Sequence, residues 1–261
     1  MMGDIDDDRV HIDDDESKVH IGLVYDDDSK FHTIDSFLSG VAGECGPYQR
    51  CHYATTGAAW LSVSLATMSM IFTRKAPQWR LVNNTDLATE LELPCDDAGS
   101  LSSGVALVDI VASASGEFGW VCGEASLAAL VGTLYFVGFG VGAFGFGSVA
   151  DSIGRRPSSQ VSAAISAVFG LASATTASPT VYMASRMLTG IGIGGLATCS
   201  YVHATEMIGP SWQGVAGVGM SAIFSLGALL LVPLTMILPS WRALTLATAA
   251  APALQLALLR C

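Results

Sequence analysis

The chemistry-bearing residues stand out against an apolar background, and the first group is a loop. Gly147-Ser-Val-Ala-Asp151-Ser-Ile-Gly154-Arg155-Arg156-Pro157 reads G-x-x-x-D-x-x-G-R-R-P between two hydrophobic segments. Asp151 can accept hydrogen bonds or face a helix N-terminus, and the two arginines can pair with carboxylates or lipid phosphates. Gly147 allows close helix approach, Gly154 permits a tight turn, and Pro157 suits the first turn of the next helix. Further on, Glu206 begins the run Glu206-Met-Ile-Gly-Pro210-Ser-Trp-Gln213-Gly214. Two loops that turn on the same side of a membrane bring Glu206 within reach of Arg155 or Arg156. These charges, with Asp151, are then expected to form a latch that favours one conformation and opens during a working cycle.

A second group lies inside a hydrophobic segment, Arg186-Met-Leu-Thr-Gly190-Ile-Gly-Ile-Gly194. An ionisable residue inside a bilayer costs at least about 2.5 kcal/mol, so it faces a polar cavity or a partner, or snorkels to the nearby outer surface. Both readings of Arg186 stand at this stage. Gly190 and Gly194 form a small-xxx-small face, and Gly138 and Gly142 repeat that spacing in a glycine-crowded segment upstream. Tyr135 and Tyr201 join Arg186 as residues that could line a substrate path, whereas His203 reads as a packed or interfacial histidine. The six cysteines show no metal-ligand spacing, and no nucleophile elbow, zinc-protease helix, paired intramembrane aspartates or phosphate-binding loop is visible. The expectation is a protein that is not an enzyme, with no metal, no cofactor and no nucleic-acid partner.

The elements that hold these residues are membrane helices. Of 261 residues, 51% are hydrophobic and only 13% charged, about half the charged share of a soluble domain. Residues 1–40 carry 12 of the 23 acidic side chains and three of the 12 basic ones, so residues 1–45 read as an acidic disordered tail. About 20 apolar residues cross the hydrocarbon core, and six segments qualify: 53–72, 125–150, 158–178, 180–205, 215–238 and 243–259. They make residues 46–261 an all-α membrane bundle. The third is rich in Ser and Ala, and the sixth is short and contains Pro252.

Most connections are tight, except residues 73–124, which are long enough to fold into a small lid. The stretch 101–115 is too short to span and contains Asp109, so it stays outside the membrane. Arg155 and Arg156 mark their short loop as cytoplasmic. That places the loop 73–124 outside the cell, the acidic tail and both termini inside, and the lipid bilayer around the rest. Asn83-Asn84-Thr85 is a glycosylation sequon on the outer side, and Cys95 with Cys122 can form a disulfide there.

In order and wording, these features resemble the major facilitator superfamily, and within it the organic cation and organic anion transporters. The resemblance rests on Gly147 to Pro157, on Glu206 to Gly214, on Gly46-Pro-Tyr48-Gln49 before the first span and on Glu117-Phe-Gly-Trp-Val-Cys122 closing the long loop. Arg186 to Gly195, Ala204-Thr-Glu206 and Trp241-Arg242 complete it. It covers roughly residues 34–250, and departs at Gln213, where the family pattern commonly has arginine, and in an outer loop poorer in cysteine. It implies one N-terminal six-helix bundle of a secondary transporter for organic cations, zwitterions such as carnitine, or organic anions, working by alternating access. Sugar and phosphate transporters share the signature loop and are the alternative. The resemblance also implies a plasma-membrane location, a small organic ion substrate, and a missing second six-helix half or a second copy. A six-helix membrane fragment or regulator that does not itself transport is the remaining reading.

Overall fold

The computed structural model describes residues 46–81, 95, 105–108, 112–209 and 211–258. The acidic tail and Asn83 lie outside them. Six long helices dominate: α1 Pro47–Thr73, α2 Ala125–Ile153, α3 Arg155–Thr175, α4 Pro179–Glu206, α5 Gln213–Ile237 and α6 Trp241–Leu258. Between α1 and α2, strands β1 Gln78–Leu81 and β2 Val105–Val108 pair antiparallel, with Gln78 opposite Val108. A single helical turn, Ala114–Glu117, follows, capped by the Ser113 hydroxyl, which accepts from Gly116 N–H. A short 3₁₀ turn, Cys122–Glu124, leads into α2, and Cys95 is bonded to Cys122.

Helix α1 starts at Pro47, six residues before its expected boundary. Proline suits a first helical turn because its missing N–H would have no partner there. α2 ends where Gly154 takes φ 95°, a left-handed conformation that a side chain would resist, and α3 begins at the next residue. Pro179 starts α4 in the same way that Pro47 starts α1.

Three helices, α1, α2 with its 3₁₀ lead-in, and α5, are long and apolar enough to cross a membrane by length and mean hydropathy. α3, α4 and α6 fall outside that measure, in keeping with the serine-rich third span and the short sixth. The physical reason is clearest in α3. Ser158, Ser159, Ser162, Ser166 and Ser173 are all buried, and each hydroxyl donates to a carbonyl three or four residues earlier in its own helix. Their polarity is satisfied internally, and their small size lets α4 lie close, with Gly192 against the backbone of Ser162 and Ser166.

The bundle is built on backbone approach. α2 and α4 pack along each other, and a Cβ on Gly138 or Gly142 would strike the carbonyl oxygens of Met187 and Ile191. Reciprocally, one on Gly190 or Gly194 would strike those of Tyr135 and Phe139. In lipid, where neither helix gains by leaving water, van der Waals contact of this kind is a principal source of association. Gly147 lies in open space instead, so the close approach expected of it occurs one and two turns earlier. α1 is fastened to α5 by Tyr53 Oη donating to Ala216 O and Ser64 Oγ to Phe224 O, both at 2.6 Å, and to α6 by Gln255 Nε2 donating to Thr55 O at 2.9 Å.

Candidate functional site: a charged helix end and a buried arginine

At the end of the bundle where α2 turns into α3, Arg155 binds two acids at once. Its Nη1 lies 2.7 Å from Asp151 Oδ1, one helical turn back, and its Nη2 lies 3.1 Å from Glu206 Oε1 at the end of α4. Its Nε also donates to both carboxylate oxygens of Glu206, at 3.2 and 3.4 Å. This fork fixes the plane of the guanidinium. The positive φ of Gly154 turns the chain sharply enough to swing Arg155 towards α4. Arg156, the next residue, has an interaction partner of its own. Asp151 is largely exposed, so one face of its carboxylate stays open.

Next to the cluster, His52 and His203 meet edge to face with ring centroids 4.5 Å apart, and a ring nitrogen of His52 lies 3.3 Å from His203 O. His203 is thus a packed residue at the α1–α4 contact. Tyr201, one turn deeper, is partly exposed and stands 6.0 Å from Trp60, which in turn packs on Phe224 at 6.3 Å. Trp60 Nε1 is buried with no hydrogen-bond partner among the described residues. Sequence reasoning passed over Trp60, although a lone tryptophan midway along an apolar span was signal enough to single it out.

Arg186 does not snorkel. It is 2% exposed, with Nε donating to Tyr182 Oη at 3.2 Å and Nη2 reaching Thr73 Oγ1 at 3.5 Å. Tyr135 of α2 is wholly buried, its hydroxyl 3.0 Å from Thr67 Oγ1 of α1. In this conformation neither residue faces an open path. Of the three residues expected to line one, Tyr201 alone reaches a surface.

The opposite end of the bundle has its own lock, a pairing the sequence did not announce. Glu117 accepts from Trp241 Nε1 at 2.7 Å and from Arg242 Nε at 3.1 and 3.2 Å. Arg242 Nη1 also donates to Ala174 O at 2.7 Å, at the end of α3. Hydrogen bonds from Arg242 first, aided by Trp241, hold the Glu117 carboxyl below its ordinary value against the opposing effect of burial. Phe118, Trp120, Tyr182 and Trp241 pack around this lock with centroids 5.0 to 6.0 Å apart. The segment Glu117–Trp120 is thereby tied to α3, α4 and α6. The described residues hold no group of three or more His, Cys, Asp or Glu side chains able to bind a metal ion.

A helical bundle turning on a G-x-x-x-D-x-x-G-R-R-P loop defines a class of membrane transport protein, and the chain belongs to the "Sugar (and other) transporter" family, whose model matches residues 55–261. It is 36% identical over 218 residues to the organic cation/carnitine transporter 4 of Arabidopsis thaliana, covering 81% of this chain and 40% of that protein. It is also 33% identical over 144 residues to the human solute carrier family 22 member 13, covering 55% of this chain and 26% of the relative. In fold it is similar to the xylose transporter XylE from E. coli in its inward-open conformation, with a TM-score of 0.54 and 16% identity over 82% of this chain and 47% of that one. The chain therefore spans less than half the length of these relatives.

Proposed function

We propose that this chain forms one gated wall of a secondary transporter for organic cations, zwitterions such as carnitine, or organic anions, with access alternating between the two membrane faces. The observation that carries the reading is the double pairing of Arg155 with Asp151 and Glu206. It ties the α2–α3 turn to the end of α4 through exposed ion pairs. Pairs of this kind contribute about 0–1 kcal/mol each, strong enough to bias two conformations and weak enough to break in a cycle. The similarity to an organic cation/carnitine transporter supports the substrate class. Sugar or phosphate transport by the same fold is the alternative.

The outward faces of α2 and α5 support assembly with a second six-helix half or a second copy. Phe136, Val141 and Phe144 on α2, and Val218 and Leu229 on α5, are exposed apolar residues. In this arrangement the Asp151–Arg155–Glu206 cluster faces the cytoplasm with both termini, residues 73–124 lie outside the cell, and the plasma membrane is the expected location. Asn83 is proposed to carry a glycan there.

The test is uptake into proteoliposomes of labelled carnitine, a quaternary ammonium and an aromatic carboxylate, comparing wild type with Arg155→Ala and Glu206→Gln. Saturable uptake of one substrate, with its rate reduced severalfold by either substitution, is the expected result. No saturable uptake, together with altered transport by a co-expressed full-length relative, would favour the regulator reading instead.

A further inference from the structure

The Arg186 guanidinium is a full positive charge enclosed between α1, α3, α4 and α6, and none of the described residues offers it a carboxylate. Guanidinium carries five N–H donors and keeps its proton in proteins. One goes to Tyr182 Oη and one, at long range, to Thr73 Oγ1, which leaves three. Beside it lies a cavity of about 10 Å³, lined by Arg186, Ser166, Thr189, Thr245 and Thr248 among others, room for a single water-sized body. The like charge of Arg74 acts on Arg186, and Arg74 is itself spent on the carbonyl oxygens of Met70 and Ala128. Glu117, the carboxylate at the opposite end from Asp151 and Glu206, is taken by Arg242 and Trp241.

We propose that this cavity binds a small monovalent inorganic anion of halide type, held by Arg186 in the interior of the bundle. Removing a guanidinium from water is costly, and an opposite charge in good geometry offsets that cost. A water molecule supplies an acceptor there but no charge. Thr189, Thr245, Thr248 and Ser166 each donate at present to a carbonyl of their own helix. Such local back-bonds are weak competitors, and a turn about one bond directs the hydroxyl proton into the cavity. In this conformation the space is too small for an organic substrate. Its occupancy does not depend on the chain transporting anything.

The experiment uses the purified full chain in detergent. Radiolabelled chloride should bind saturably and be displaced by bromide but not by gluconate. The thermal midpoint should rise as chloride replaces gluconate at constant ionic strength. Thr189→Val, which removes one hydroxyl and keeps the shape, should weaken chloride binding about tenfold, the loss of one hydrogen bond to a charged group. Arg186→Gln should abolish it. Where Arg186→Gln fails to fold, wild type and Thr189→Val decide the matter. Equal thermal midpoints in chloride and gluconate with no displaceable chloride would overturn the proposal and leave the cavity to water. Binding unaffected by Thr189→Val would place the anion elsewhere and overturn it equally.

Discussion

Glu117 and Arg242 sit 125 residues apart in sequence, yet their pairing ties the helical turn Ala114–Glu117 to α6. Because the folded carboxyl titrates below its ordinary value of 4.5, the lock's contribution is fully present above that value. It is lost as pH falls through the lower, folded value. Wild type should therefore lose thermal stability more steeply than Glu117→Gln as pH is lowered from neutral to well below 4.5, and the two melting curves should converge at the acid end. A parallel decline in both would place the acid sensitivity in other groups. At this scale the sequence was most informative where charge stood alone. Asp151, Arg155 and Glu206 could be brought together on paper because apolar flanks fixed which loops they occupied. Glu117 with Arg242 could not: each lies in a recognisable segment, Glu117 to Cys122 and Trp241-Arg242, but nothing in either says that the two meet, which depends on how α3, α6 and the turn at Ala114–Glu117 stack.

α2 and α4 illustrate what a spacing can and cannot convey. The four-residue interval of Gly138 with Gly142, and of Gly190 with Gly194, marks two close-packing faces, but nothing in the interval says that each face meets the other. α2 is apolar all round, so the sequence does not orient it. That is why Gly147 was expected at a contact and found in open space, and why Tyr135 was expected on a path and found enclosed. The contrast is measurable. Gly142→Ala and Gly194→Ala place a methyl against a backbone carbonyl that cannot move cheaply. Each should cost about 1–3 kcal/mol, seen as a lower melting temperature and a smaller monodisperse fraction in detergent. Gly140→Ala and Gly147→Ala meet nothing and should be neutral or slightly stabilising, as alanine favours helix over glycine. Equal losses at all four positions would contradict the reciprocal packing.

Taken whole, the molecule divides its helices by polarity. α1, α2 and α5 are apolar enough to span a bilayer unaided. α2 and α5 turn much of that surface outward, where lipid or a second bundle covers it. α3, α4 and α6 fall below that measure; buried serines and threonines lie on them and on α1, and the buried Arg186 lies on α4. The helical, membrane-embedded character was legible from composition, and so were the approximate boundaries. The weakness of the third and sixth spans was legible too, in the serines of one and the shortness of the other; what the sequence did not convey is that each buried serine of α3 closes a bond on its own backbone and so costs little in the folded bundle.

That ladder of buried serines in α3 bears on biogenesis. While the chain is still emerging from the ribosome, the neighbours that later cover α3 have not all been made, and a segment of its hydropathy gains little by leaving the translocation channel for lipid alone. α2 is made immediately before it and is joined to it by the single residue Gly154. The two are therefore expected to partition into the bilayer as one hairpin, the apolar arm carrying the polar one. Glycosylation mapping of truncated chains should show α3 crossing fully when α2 precedes it and largely failing to do so when α2 is replaced by a soluble segment.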